Sequence, residues 1–214
     1  MNRLKQINKD NNKGNWFVSW FNSPYYHLLY ENRDDKEAEI FIQNLLKKLE
    51  VPANSTFLDL ACGKGRHARY INSLGFETTG VDLSTQSIAQ ARLFESDTLD
   101  FHVHDMRLPL PGKSYQYVLN LFTSFGYFDH REENLKMLES IKTYLAPDGF
   151  LIIDFLNAVK VTKNLVPFEC ITKQDIQFNI NRKVEKEVIT KKIEFSDGFN
   201  CYEFEERVQA LTLS

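Results

Sequence analysis

The chain of 214 residues has little of what marks a specialised environment. Its three cysteines, Cys62, Cys170 and Cys201, stand far apart and form neither a C-x-x-C pair nor a zinc-ligand spacing. That excludes a disulfide framework or zinc finger and predicts reduced thiols in a cytoplasmic protein. No apolar run approaches the roughly 20 residues needed to span a bilayer, so no membrane partner is expected. The opening stretch MNRLKQINKDNNKGN is polar, with no apolar segment of the kind a secretory signal needs, and residues 1–15 are expected to be a flexible tail. Charge of one sign is missing too. With 26 basic and 29 acidic residues the net charge is −3, a balance that would not attract a polyanion, and no nucleic-acid partner is expected. His102 and His104 share one face of a strand, but no third ligand stands at a matching position, so no metal site is expected. There is no G-K-[ST] ending for a P-loop, and no internal repeat.

What is present suits one globular core: 43% of residues are hydrophobic and 26% charged. Residues 16–52 read as helices. The first part is dense in aromatics, from Trp16 to Tyr30. The second opens near Asp34 or Asp35 and repeats apolar residues at Ala38, Phe41, Ile42, Leu45, Leu46 and Leu49, a helical stripe ended by Pro52. Residues 53–168 then alternate short apolar runs with helical segments. The predicted strands are TFLDL, FETTGVDL, LDFHVHDM, YQYVLNLF and FLIIDFL, and the helix before the last has Asp129 and Glu132 at capping-box spacing. Such alternation predicts an α/β fold, a Rossmann-like doubly wound and mostly parallel sheet with helices on both faces. From 169 to 214 charged and apolar residues interleave, which predicts a three-stranded antiparallel ribbon with one face in water. The lysine and glutamate runs between Lys183 and Arg207 read as solvated strand faces.

The exit of the first predicted strand, Asp59-Leu60-Ala61-Cys62-Gly63-Lys64-Gly65, lies where doubly wound sheets bind ligands. Glycine there lets a ligand approach the backbone, and the following helix presents free N–H groups. Gly63 to Ala68 also fits the dinucleotide pattern G-x-G-x-x-G/A. Asp82 follows Gly65 by 17 positions, where an acid can hold ribose hydroxyls of either NAD or an adenosine ligand. Asp105 ends the third strand and can accept from an exocyclic amine, with Met106 against a purine face. Asp59, Asp82 and Asp105 leave consecutive strands at one edge. Three carboxylates suit a cationic nucleoside better than a pyrophosphate, which they would repel.

On these residues the chain resembles class I S-adenosylmethionine-dependent methyltransferases, over about 56–157. LDLACGKGRH is similar to that family's first motif, GVDLS to its second, HDM to its third and YVLNLFTSFGYF to its fourth. The segment WFNSPYYHLLYENRDDKEAE resembles a bacterial subgroup acting on small molecules, in which this region is a lid over the cofactor. The resemblance implies S-adenosylmethionine as cofactor and S-adenosylhomocysteine as product, with a small-molecule methyl acceptor. It implies that Asp59, Ala61, Gly63 and Gly65 face the methionine part, Asp82 the ribose, Leu83, Asp105 and Met106 the adenine, and Asn120, Leu121 and Phe122 the sulfonium. Ser124, Phe125 and Tyr127, with Asp154 and Asn157, would meet the acceptor. Tyr25, Tyr26, His27 and His130 are candidate bases, and Arg33, Arg66 and His67 further candidates for contact. The family closes its sheet with another helix and two more strands, whereas this chain stops at ERVQALTLS. A shortened form is therefore expected, with the fifth strand an uncovered edge available to a second copy. A non-catalytic ligand-binding protein of this fold, or an NAD-dependent oxidoreductase, remain the alternatives.

Overall fold

The computed structural model describes residues 7–9 and 16–212. In chain order the elements are β1 (Ile7–Lys9), α1 (Trp16–Phe21), α2 (Pro24–Leu29), α3 (Asp35–Leu49), β2 (Thr56–Leu60), α4 (Arg66–Ser73), β3 (Glu77–Asp82) and α5 (Thr85–Ala91). They continue with β4 (Leu99–Val103), β5 (Tyr115–Asn120), α6 (Arg131–Tyr144), β6 (Leu145–Ile153), α7 (Ala158–Lys163), β7 (Phe168–Lys173), β8 (Ile176–Glu185), β9 (Val188–Ser196) and β10 (Cys201–Gln209). The chain divides into two compact units. One contains Asn32–Phe125 and His130–Phe155; the other draws on Met1–Glu31, Gly126–Asp129 and Leu156–Ser214.

The Asn32–Phe155 unit is the expected doubly wound sheet. Its strands lie in the order β4-β3-β2-β5-β6, every pair parallel. The chain walks outward from β2 through β3 to β4, then returns to the other side of β2 for β5. Strand order therefore reverses between β2 and β5, and the loops leaving their carboxyl ends flank the crevice that such a reversal opens. β2 is buried along nearly its whole length, as a central parallel strand with both faces covered must be. On one face Phe57, Tyr117, Leu119 and Leu121 pack with Ile42 and Ile71. On the same face, where the ladder sets Asp59, Gly80 and Phe101 side by side, Phe101 packs with Ala68, Ile88, Ala91 and Leu99. Removing each large side chain from water stabilises the fold by about 1.5–3 kcal/mol.

α3 starts where its sequence dictates. The Asp34 carboxylate accepts from the Glu37 N–H at 2.9 Å, Asp35 and Glu37 complement the helix dipole, and Lys47 and Lys48 do so at the other end. α6 does not start as expected. The capping box at Asp129 and Glu132 is absent: His130 takes the cap position without a side-chain bond, and Asp129 pairs with Arg207 at 2.9 Å.

The second unit holds a five-stranded sheet, β1-β10-β9-β8-β7, antiparallel except that β1 runs parallel to β10. Three expectations change here. Ile7–Lys9, within the expected tail, is a strand paired with Cys201–Glu203; the rest of 1–15 lies outside the described residues. The ribbon has four consecutive strands rather than three, since Phe168–Lys173 is itself a strand and VEKEVITKKIEF is broken by a tight turn at Lys186 and Glu187. The segment 16–52 is divided: α1 and α2 belong to this unit, α3 to the other. Nor are all the ribbon's charges solvated. Glu206 accepts from Trp20 Nε1 at 2.7 Å and from the Tyr30 hydroxyl at 2.7 Å, and pairs with its cross-strand neighbour Lys191 at 3.5 Å. Among the described residues no helix is long and apolar enough to cross a membrane.

One packing detail fixes the geometry around the glycine turn. A Cβ on Gly65 would lie 2.5 Å from the Phe101 ring, and one on Gly80 equally close. Phe101 is fully buried and has no room to move. Gly63 and Gly65 both have positive φ, 58° and 78°, but a Cβ on Gly63 would meet nothing within 4 Å. The backbone strain of an alanine is therefore comparable at the two sites, and the difference between them isolates the clash. Gly65→Ala should cost about 1–3 kcal/mol more stability than Gly63→Ala. Urea denaturation midpoints read this difference, and equal losses would show that Phe101 does not constrain the turn.

Candidate functional site

The rim of the parallel sheet is built from loops after β2, β3, β4, β5 and β6, and each is held by a carboxylate. After β2 the chain turns sharply. Ala61 takes φ of 58°, a left-handed conformation that costs a non-glycine residue about 1–2 kcal/mol. Cys62 N–H then donates to Val81 O, and Gly65 N–H to Cys62 O. Asp82 secures the turn. One carboxylate oxygen accepts from the Gly63 N–H at 2.8 Å, the other from the Ser84 N–H at 2.7 Å. Ser84 in turn caps α5 by accepting from the Ser87 N–H at 3.1 Å. Burial raises the Asp82 pKa, and the two N–H donors oppose the rise. Each oxygen still has a lone pair for a further donor.

Asp59 differs. It is 1% exposed on β2, and its Oδ2 has no hydrogen-bond partner among the described residues. Burial pushes its pKa up to about 7, the nearby Asp82 charge adds to this, and the Ala68 N–H and Arg66 act the other way. Asn120, fully buried at the end of β5, donates to Leu60 O at 3.3 Å while its Oδ1 lacks a partner. Its Nδ2 also lies 3.9 Å from the Met106 sulfur, so those two predicted residues do meet. Burial raises the Cys62 thiol pKa well above its ordinary value, with Asp59 and Asp82 adding to the effect, so the thiol stays protonated.

The loop after β5 is unusual. Phe122 and Thr123 both have positive φ, 57° and 60°. Asp154 holds them there: its carboxylate accepts from the Phe122 N–H at 3.1 Å and its carbonyl from the Thr123 N–H at 3.0 Å. The Phe122 ring stacks on His67, centroids 5.0 Å apart, with the Arg33 and Arg66 guanidiniums 5.7 and 5.6 Å from its centre. His67 is 6% exposed and neutral; burial, then Arg66, lowers its pKa to about 3, and its Nε2 has no partner among the described residues.

Several sequence expectations meet a different local geometry. The space beside Gly65 is filled by Phe101, so that glycine serves packing, whereas Gly63 borders open space. Asp105 is clasped by its own neighbour: Arg107 Nε and Nη2 reach its two oxygens at 3.0 and 2.6 Å. Leu121 is a core residue. Ser124 donates to Leu121 O at 3.1 Å, Phe125 packs edge-on to Phe155, and Leu83 is half-buried. Asn157 is exposed and caps α7, accepting from the Lys160 N–H. Tyr127 packs against Trp16 and Phe21, and Tyr26 against Trp20, Phe21 and His27. Tyr25 makes a poor base. Its hydroxyl donates to Asp197 at 2.8 Å, and burial, then Tyr202 and Asp197, push its pKa up. Tyr25, Tyr26, His27, Tyr127 and Asn157 all belong to the ribbon unit. His130 is exposed at the start of α6. Arg107 was not singled out from sequence; a basic residue two positions after a strand-end acid was the available signal.

With this geometry in view, residues 57–149 match the methyltransferase domain family. Over that stretch the chain is similar to a methyltransferase domain. It is 31% identical over 130 residues to the dTDP-3-amino-3,4,6-trideoxy-alpha-D-glucopyranose N,N-dimethyltransferase of Streptomyces venezuelae, covering 60% of this chain and 54% of that protein. It is 30% identical over 129 residues to the putative methyltransferase YqeM of Bacillus subtilis, covering 58% and 51%. The matches thus span about half the length of these curated relatives. Among solved structures, an S-adenosylmethionine-dependent methyltransferase from Clostridium acetobutylicum has the same fold, with TM-score 0.71, 19% identity, and coverage of 88% of this chain and 79% of that one. The expected class I fold is therefore present, and its parallel sheet carries Asp59, Gly63, Asp82 and Asn120 on and after the carboxyl ends of β2, β3 and β5.

The Asp59 carboxyl gives the domain a pH signature. Its folded pKa, about 7, lies above the unfolded value near 3.8. The folded state therefore holds the proton more tightly, so this contribution to stability is complete below about pH 4 and is lost as pH rises towards 7. Through that window the slope approaches about 1.4 kcal/mol per pH unit. Asp59→Asn should flatten the decline and be more stable than wild type at pH 8. Urea titrations between pH 4.5 and 8 measure both, and parallel curves for the two proteins would overturn the assignment.

Proposed function

We propose that the chain is an S-adenosylmethionine-dependent methyltransferase acting on a small-molecule acceptor. The observation that carries this is Asp59, a buried acid with an unpartnered oxygen on the strand next to the open backbone of Gly63. A buried carboxylate is costly unless a cation or donor faces it. An adenosyl ligand bearing an ammonium and a sulfonium would supply both charge and donors, and a pyrophosphate would supply neither. The residues thus fit this cofactor better than a dinucleotide.

The sulfonium of the bound cofactor supplies an electrophilic methyl carbon and a ready leaving group. The protein then has mainly to position the acceptor's nucleophile about 3 Å away, in line, and to keep water out. In this reading Asp59 holds the ammonium, Asp82 uses its remaining lone pairs for the ribose hydroxyls, and Met106 lies on the adenine. Asn120 and the strained Phe122 line the reacting end. Ser124 and Phe125 follow on the same loop and would border the acceptor, while Asp154 acts by holding that loop. The relatives named for amino-sugar N-methylation favour a polar small acceptor. We further propose that two copies associate through β6, which among the described residues pairs on one side only. Light scattering at increasing concentration checks this, and a monomer throughout would refute it.

Binding comes first as a test. S-adenosylhomocysteine at a hundred times its dissociation constant should add about 2.7 kcal/mol of stability. NAD should add nothing, and Asp82→Ala should abolish the gain. A melting temperature raised by NAD and unmoved by S-adenosylhomocysteine would replace this reading with an oxidoreductase. Ligand binding without transfer of labelled methyl to amino-sugar or other small acceptors would favour a binding protein.

A further inference from the structure

We propose that Arg107, braced by Glu133 of α6, is a positioning residue that presents Asp105 to the exocyclic amine of the cofactor's adenine and so sets selectivity for the adenine base. The proposal rests on the cofactor reading above.

The loop after β4 is not free to choose its conformation. Arg107 N–H donates to Asp105 Oδ1 at 3.0 Å, Nε spans both oxygens at 3.0 and 3.1 Å, and Nη2 reaches Oδ2 at 2.6 Å. The other guanidinium nitrogen, Nη1, binds Glu133 Oε1 at 2.6 Å. One residue along, Leu108 O accepts from Ser140 Oγ of α6 at 2.5 Å and lies 3.0 Å from His104 Nε2. Two points on α6 therefore pin the segment that carries Asp105 and Met106, and Met106 in turn touches Asn120.

Counting acceptor sites shows what this leaves. A carboxylate has about four lone-pair directions. The Arg107 N–H and the two guanidinium N–H groups occupy three, so about one remains. One of the two N–H groups of an adenine amine would fill that direction, and a purine without the amine would leave it empty. Arg107 also keeps Asp105 a pure acceptor. Burial alone would raise the Asp105 pKa, but the Arg107 bonds and charge outweigh it and hold the carboxyl below its ordinary value. A planar guanidinium forks onto two oxygens, whereas an ammonium at that place grips one and leaves the carboxylate free to turn.

The test compares S-adenosylhomocysteine with its analogue carrying unsubstituted purine in place of adenine, which differ only in an amine against a hydrogen on the ring. Calorimetry on the wild-type chain should show the adenosyl compound bound about tenfold more tightly, the worth of one hydrogen bond to a charged group. Arg107→Lys and Glu133→Gln should bring that ratio towards one, with Lys the greater loser. A merely structural role would weaken both compounds alike and leave the ratio unchanged, which would overturn the proposal. Circular dichroism of each variant confirms that it folds, and the Glu133→Gln ratio carries the test if Arg107→Lys does not. If wild type binds neither compound, the cofactor reading itself fails. If it binds both with a ratio of one, only the positioning role fails.

Discussion

The Asp82 carboxylate joining Gly63 to Ser84 is the contact on which the rim depends. Strands β2 and β3 are hydrogen-bonded along their length, but the loops leaving them have no ladder to hold them. One acid side chain supplies the missing link by accepting an N–H from each loop. Removing a carboxylate from water is unfavourable, and two backbone donors offset that cost while fixing its orientation. The glycine turn can then sit open at the strand reversal without collapsing into the core.

The other rim acids repeat the arrangement with different partners. Asp154 holds the strained pair Phe122 and Thr123, and Asp105 is held by Arg107. Each is a carboxylate whose position is settled before any ligand arrives. Asp59 stands apart, since burial and a neighbouring charge oppose its ionisation and one oxygen lacks a donor. A site made this way combines fixed acceptors with one acid whose charge state a cationic ligand can change. Preorganised polar groups of this sort avoid the reordering that would otherwise weaken binding.

Much of this was legible from residues alone. The parallel sheet followed from the alternation of apolar runs and helices, and the rim acids from their position at strand ends. Partnership was not legible. That Phe101, rather than a ligand, fills the space beside Gly65 depends on a contact across 36 positions in sequence, and spacing carries no sign of it. That Asp105 would meet Arg107 could be guessed from proximity, but its bracing by Glu133 could not. The fourth ribbon strand, Phe168–Lys173, was missed because Gln174 takes the left-handed position, φ 50°, in the turn to the next strand, where glycine or asparagine would have announced a hairpin; Lys186 and Glu187, φ 49° and 61°, hid the boundary between β8 and β9 in the same way. Tyr25 read as a base and Asn157 as an acceptor contact because their partners, Asp197 and the Lys160 N–H, were invisible.

The pairing of Ile7–Lys9 with Cys201–Glu203 bears on how the chain matures during synthesis. The ribbon unit takes a strand and two helices from residues 7–29 and most of its sheet from residues 168–209, and Trp20 finds Glu206 across 186 positions. As the chain leaves the ribosome those early aromatic segments wait, without their sheet, until Cys201–Gln209 has been made. Closing so long a loop is slow, and waiting apolar surface is what chaperones bind. The doubly wound unit has no such delay, because its final strand ends at Ile153.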